Sequence, residues 1–169
     1  MHKNLKEPHI LLASSNPYRV IKNLNGVLSA AELAKIQSAI DSNALALLSL
    51  GESHYNFAKA IPSSEWRQKV SRFYYAVYNV RRAVSLRHDG SFSTDSSDHN
   101  NVDQIPEQLE GAAIYKSKFR NLRDDRNLAD YSHLATEADL LISVVDAENL
   151  ATNFIIHAKN FLTMIGMTV

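Results

Sequence analysis

Leu140, Val144, Ala147, Ala151, Phe154, Ala158, Phe161 and Ile165 recur at steps of four and three to the end of the chain. That period puts every one of them on a single stripe of a helix. A helix with such a stripe must bury it against something. Three more stretches repeat the pattern. Leu33, Ile36, Ile40 and Leu47 follow Ser29-Ala-Ala-Glu32, which has the form of a capping box, and predict a first long helix up to Gly51. A shorter helical piece with His54, Tyr55 and Phe57 is expected before Ile61-Pro62 breaks it. Val70, Phe73, Val77, Val80 and Val84 predict a second long helix, capped by Ser63 or Ser64 and reaching His88. The third seam is Tyr115, Phe119, Leu122, Arg126, Ala129 and His133, in a helix from Ala112 to His133. Four amphipathic helices without a strand signal predict an all-α bundle.

The remaining segments are connections. Residues 1–28 show no periodicity; Asn16-Pro17 and Asn25-Gly26 mark turns, and the segment reads as an arm before a single helical domain over 29–169. Residues 89–101 form a polar loop, and a short helix is expected over 102–109. Thr136-Glu-Ala-Asp139 has the form of a second capping box, opening the last helix. At 169 residues one domain is the simplest organisation. The chain has no cysteine, which excludes disulfides, thiolate metal sites and cysteine nucleophiles. No apolar run is long enough to span a bilayer. Lys3, Lys6 and the short apolar patch Ile10 to Ala13 do not make a signal peptide, so a cytoplasmic location is expected.

Charge is balanced, with 18 basic and 18 acidic residues, but unevenly distributed. Arg67, Lys69, Arg72, Arg81, Arg82 and Arg87 occupy a stretch without one acid, whereas Asp124, Asp125, Asp130, Glu137, Asp139, Asp146 and Glu148 dominate the later part. Such a basic helix either steers a polyanion or is a solvated or internally paired face. On it, Arg72, Tyr75, Asn79 and Arg82 share one stripe, which suits a substrate-binding groove and equally a polar contact between helices. His99 with Asp95 and Asp98 lacks a second histidine at helical spacing, so no metal is expected there.

An arginine on an apolar seam is costly unless an anion meets it. Arg126 therefore either pairs with an internal carboxylate, with His133 at the negative end of its helix, or the two converge on a phosphate. Histidine can exchange a proton near neutrality, and the guanidinium fork matches phosphate oxygens. Along an ideal helix, positions 126 and 133 rise about 10 Å apart, too far to share one phosphate unless the helix ends between them or two copies meet across a two-fold axis. Asn127 would position the phosphate or His133, Asp130 would orient Arg126, and Arg123 would add a second cation.

Two motifs carry a family resemblance. Ser71-Arg72-Phe73-Tyr74-Tyr75-Ala76, with Arg82-Ala83 further on, resembles the S-R-x-Y-Y-A helix of the HEPN superfamily, and Arg126-Asn127-Leu128-Ala129-Asp130-Tyr131 is similar to its R-x-x-A-D-Y helix. With the intervening polar loop and the last helix, the resemblance covers residues 44–162. It implies a four- to five-helix up-and-down bundle, a homodimer through the Arg126/His133 helix, and no cofactor. Arg126, Asn127 and His133 match the motif of Arg, a polar residue and His that many members carry. Such members are commonly metal-independent endoribonucleases that act on RNA as toxins or antiviral defence effectors. Others are catalytically silent bundles that bind a nucleotide or a protein. Some HEPN toxins are partnered by a nucleotidyltransferase-type antitoxin and carry a tyrosine two residues after the histidine; here that position is Ala135.

Overall fold

The computed structural model describes residues 16–23, 25–92 and 95–169. Lys3, Lys6 and the patch from Ile10 to Ala13 lie outside them, as do two positions of the polar loop. Among the described residues five α-helices follow one another: α1 (Pro17–Asn23), α2 (Ala30–Ala60), α3 (Trp66–Asp89), α4 (Ala112–Tyr131) and α5 (Val144–Met164). A 3-10 segment (Ser96–Asn101) precedes α4 and a 3-10 turn (Glu137–Asp139) follows it. Among the described residues there is no strand, only an isolated bridge between Asn25 and Leu28. The chain is an all-α bundle.

The centre is α3, which packs against α2, α4 and α5. Its predicted seam is buried throughout, and so are Tyr74, Ala76, Tyr78, Asn79, Arg81, Ala83 and Leu86 on its other faces. A helix enclosed on most sides cannot leave its basic residues in water, and α3 uses them on its neighbours. Lys69 donates to the carbonyls of Ala58 and Ile61 at the end of α2. Arg67 donates to those of Ala129, Ser132 and Ala135 at the end of α4. Arg87 donates to that of Ile165 just past α5. These are the ends where carbonyls lack helical partners and the dipole is negative. The basic stretch is thus an internal set of fasteners, and its partners are carbonyls more than the acidic segment. Two carboxylates join in: Asp41 lies 2.9 Å from Arg87, and Asp98 is buried against Arg81.

The Ser29/Glu32 box forms as expected and starts α2. The helix does not stop at Gly51, nor is the piece with His54 and Tyr55 separate; α2 runs unbroken to Ala60. Gly51 lies tight against α3, where a Cβ would stand 2.5 Å from Val80 Cγ2 and 2.8 Å from the Ala76 carbonyl. Neither Ser63 nor Ser64 caps α3; Glu65 holds that place without a side-chain cap. No helix forms over 102–109, because Pro106 disfavours helical backbone at Ile105, and Val102, Ile105 and Leu109 bury as a plug instead. Thr136 and Asp139 do form a capping box, but around the short 3-10 turn. The next two amides, Leu141 and Ile142, donate to the buried carboxyl of Asp125 at 2.7 and 2.9 Å. Helix cannot propagate through them, so α5 starts afresh with Ser143 as its cap.

Candidate functional site

The predicted seam of α4 is buried at Tyr115, Phe119, Leu122 and Ala129, with Phe119 edge-on to Phe154 of α5 at 4.7 Å. It does not reach His133. The helix ends at Tyr131, and Ser132 turns extended (φ −97°, ψ 102°). The cause is Arg67, whose guanidinium gathers carbonyls from both sides of the break. His133 therefore leaves the seam and stands exposed beyond the helix end.

Arg126 lies where the seam meets the aromatic face of α3. Its Nη2 donates to the Tyr75 hydroxyl at 2.5 Å and its Nη1 to Asn127 Oδ1 at 3.0 Å. Nε stands 2.7 Å from Asp130 Oδ2, an ion pair without hydrogen-bond alignment. The guanidinium also faces the rings of Tyr74, Tyr75 and Tyr131 at 5.9, 5.3 and 5.5 Å. Burial opposes its charge, but Tyr75 and Asp130 outweigh it and hold the cation more firmly than in water.

Beside Arg126 opens a cleft of about 540 Å³ lined by Tyr74, His99, Asn100, Arg123, Asp124, Arg126, Asn127 and Tyr131. Two arginines and two asparagine amides in one concavity can hold an oxyanion, and the exposed ring of Tyr131 offers a face on which a base can stack, whereas Tyr74 is buried. Arg123 is tied to Asp124 at 2.9 Å. Arg126, Asn127, Arg123 and, through the ion pair, Asp130 are thus brought together.

The stripe Arg72, Tyr75, Asn79 and Arg82 does not line the cleft as a unit. Arg72 lies over Phe57 of α2 at 5.4 Å. Asn79 is buried and bonds the Tyr75 carbonyl of its own helix at 2.8 Å. Arg82 packs over Tyr78 and Phe92 at 5.3 and 4.4 Å, and burial lowers its pKa. Tyr75 reaches the site through its bond with Arg126, and Arg82 through its charge near His99.

The cleft adds residues that the helical pattern did not single out. His99 enters from the 3-10 segment, stacked on Tyr78 at 4.4 Å and bonded through Nδ1 to the Tyr74 hydroxyl at 2.6 Å. Burial and the nearby Arg126 hold its pKa below the ordinary 6.5, with Asp98 opposing. Burial likewise raises the Tyr74 hydroxyl and pushes Tyr78 up to about 12, so both stay protonated at neutral pH. Asp98 belongs to Arg81 and Tyr78. Among the described residues no cluster of three or more His, Asp or Glu side chains is placed to hold a metal ion, and no helix is long and apolar enough to cross a membrane.

Compared with family models, curated proteins and solved structures, the chain matches none.

Proposed function

We propose that this protein is a metal-independent endoribonuclease of the HEPN type, acting as a toxin or antiviral defence effector. The observation that carries the reading is the placement of Arg126 in the cleft. A cation held in place by Tyr75, Asn127 and Asp130 beside Arg123 suits a scissile phosphate, where fixed donors stabilise charge as it develops. In this reading RNA binds with that phosphate on Arg126 while the adjacent 2′-hydroxyl attacks phosphorus. His133 exchanges a proton as general acid or base, and Asn127 positions the phosphate.

The exposed His133 fits a site completed by a second copy. Tyr131, Leu134, Leu141 and Val145 are 74, 81, 62 and 69 % exposed within fifteen residues of chain that include it, an unusual density of open apolar side chains. A homodimer through this end of α4 would cover them and bring His133 to its mate's cleft. A nucleotidyltransferase-type antitoxin is the partner class that follows from the family reading.

One observation favours the catalytically silent reading, in which the bundle binds a nucleotide or a protein. Asp130 and Tyr75 already satisfy much of Arg126. RNA cleavage in EDTA, by the wild type, Arg126→Ala and His133→Ala, separates the two. Cleavage that survives chelation and is lost in both variants supports the nuclease. No cleavage of several RNAs by a confirmed dimer would overturn it in favour of the silent module.

A further inference from the structure

The geometry points to His99 as a second proton-transfer residue of this cleft: its Nε2 removes the proton from the RNA 2′-hydroxyl, leaving His133 as the acid. This rests on the ribonuclease reading above, and deepens it.

The segment that carries His99 is rich in serine, asparagine and aspartate, yet it is fastened like core. Asp98, 1 % exposed, takes Arg81 Nη1 at 3.3 Å on both carboxylate oxygens and the Tyr78 hydroxyl at 2.9 Å. Arg81 Nε holds the Gln104 carbonyl at 3.2 Å. A polar surface loop needs no buried ion pair to remain solvated. What this one accomplishes is the placement of the next residue. The His99 ring is fixed on three sides, stacked on Tyr78, tilted against Tyr74 at 5.7 Å and edge-on to Tyr75 at 6.2 Å.

With Nδ1 engaged by Tyr74, the nitrogen left to serve the cleft is Nε2. Tyr74 keeps its proton at neutral pH but its oxygen can still accept. The assignment takes the tautomer in which Nδ1–H donates to that oxygen and Nε2 carries the lone pair that a general base needs. When Nε2 takes a proton, the Nδ1–H bond to Tyr74 remains intact. The groups facing the ring are Tyr74, Tyr75, Tyr78 and Arg82 from α3, Asp98 from its own segment and Arg126 from α4. Burial and the arginines favour the neutral ring and Asp98 opposes them; the net result is a base that is unprotonated near pH 7.

The 2′-hydroxyl proton passes to His99 Nε2, the 2′-oxygen bonds to phosphorus, and the bond from phosphorus to the 5′-oxygen breaks. The leaving oxygen takes a proton from protonated His133. The products are a 2′,3′-cyclic phosphate and a 5′-hydroxyl end. Arg126, lining the same cleft, holds the phosphate oxygens throughout.

The test is cleavage of a fluorescent single-stranded RNA in EDTA by the full chain, comparing wild type, His99→Gln, Tyr74→Phe and His133→Ala across pH 5 to 9. Loss of a general base is expected to cost His99→Gln about 100-fold or more in kcat. KM should stay nearly unchanged, and the acid limb of the kcat/KM profile should disappear. Tyr74→Phe should keep that limb but move it to lower pH, because the protonated ring loses its acceptor. Wild-type turnover and an unchanged acid limb in His99→Gln would overturn the assignment of His99 and leave the ribonuclease reading standing. No cleavage by the wild type would overturn both. If His99→Gln does not fold, Tyr74→Phe decides: an unmoved acid limb rejects His99 as the base.

Discussion

Asp125 is the carboxylate on which the position of the loop after α4 depends. It is 1 % exposed and accepts the amides of Leu141 and Ile142 at 2.7 and 2.9 Å. Asp125→Ala orphans both donors. The Ile142 amide is buried and loses its bond outright, at about 2 kcal/mol. The Leu141 side chain is 62 % exposed, so water can reach its amide, and about 1 kcal/mol is lost there. Burial holds the Asp125 pKa above its ordinary 3.8, so deleting the carboxyl returns part of this. The net loss should be about 2 kcal/mol, or about 4–8 °C in Tm for a chain of this size. Urea unfolding of Asp125→Ala measures it, with the half-exposed Asp124→Ala as a control expected to lose under about 1 kcal/mol. Equal losses for the two variants would refute the reasoning. The pH dependence gives an independent check. A carboxyl with a raised folded pKa makes the native state bind more protons than the unfolded chain above pH 3.8, so this contribution falls as pH rises through the interval up to the folded pKa. That component should be absent from Asp125→Asn.

Gly51→Ala should destabilise by about 1–2 kcal/mol in urea unfolding, because crowding against Val80 and the Ala76 carbonyl outweighs the helix-propensity gain of about 1 kcal/mol; a stabilised variant would show that α2 and α3 can part at no cost. Arg67→Met keeps the side-chain stem but strips three carbonyls of a charged donor, and should cost about 2–4 kcal/mol, together with changed NMR shifts for residues 129–135. Burial lowers the pKa of both His54 and His99 below 6.5. The unfolded chain then binds more protons below that value, so stability should fall as the solution is acidified from pH 6.5 towards the folded pKa values, and His99→Gln should flatten the thermal-denaturation trend.

The seams of α3 and α5 were legible because a helix buried on a regular face writes its period into the chain, and every predicted seam residue of α3 is buried. The Ser29/Glu32 box was legible because both halves lie within one turn. The Thr136/Asp139 box was legible too, but what stopped the helix behind it was Asp125, more than ten residues earlier in the chain. The end of α4 was hidden for the same reason, since Arg67 stands over sixty residues from the carbonyls it gathers. Arg126, Asn127 and Arg123 could be found as cations and an amide on one helix. His99 could not, because its place depends on the Arg81–Asp98 pair across a loop without periodicity. In the polar loop Asp98 invited comparison with a metal ligand, and the fold spends it on an arginine.

The cations that α3 sends to the ends of α2, α4 and α5 bear on how the bundle opens. The last turn of a helix ordinarily frays alone, since its carbonyls have nothing further along the chain to hold them. Here Lys69, Arg67 and Arg87 tie three such turns to one buried helix, so loosening any of them leaves a cation of α3 without its acceptors. Amides in those final turns should therefore exchange with solvent at rates close to those of the α3 interior, and the three ends should melt as one unit.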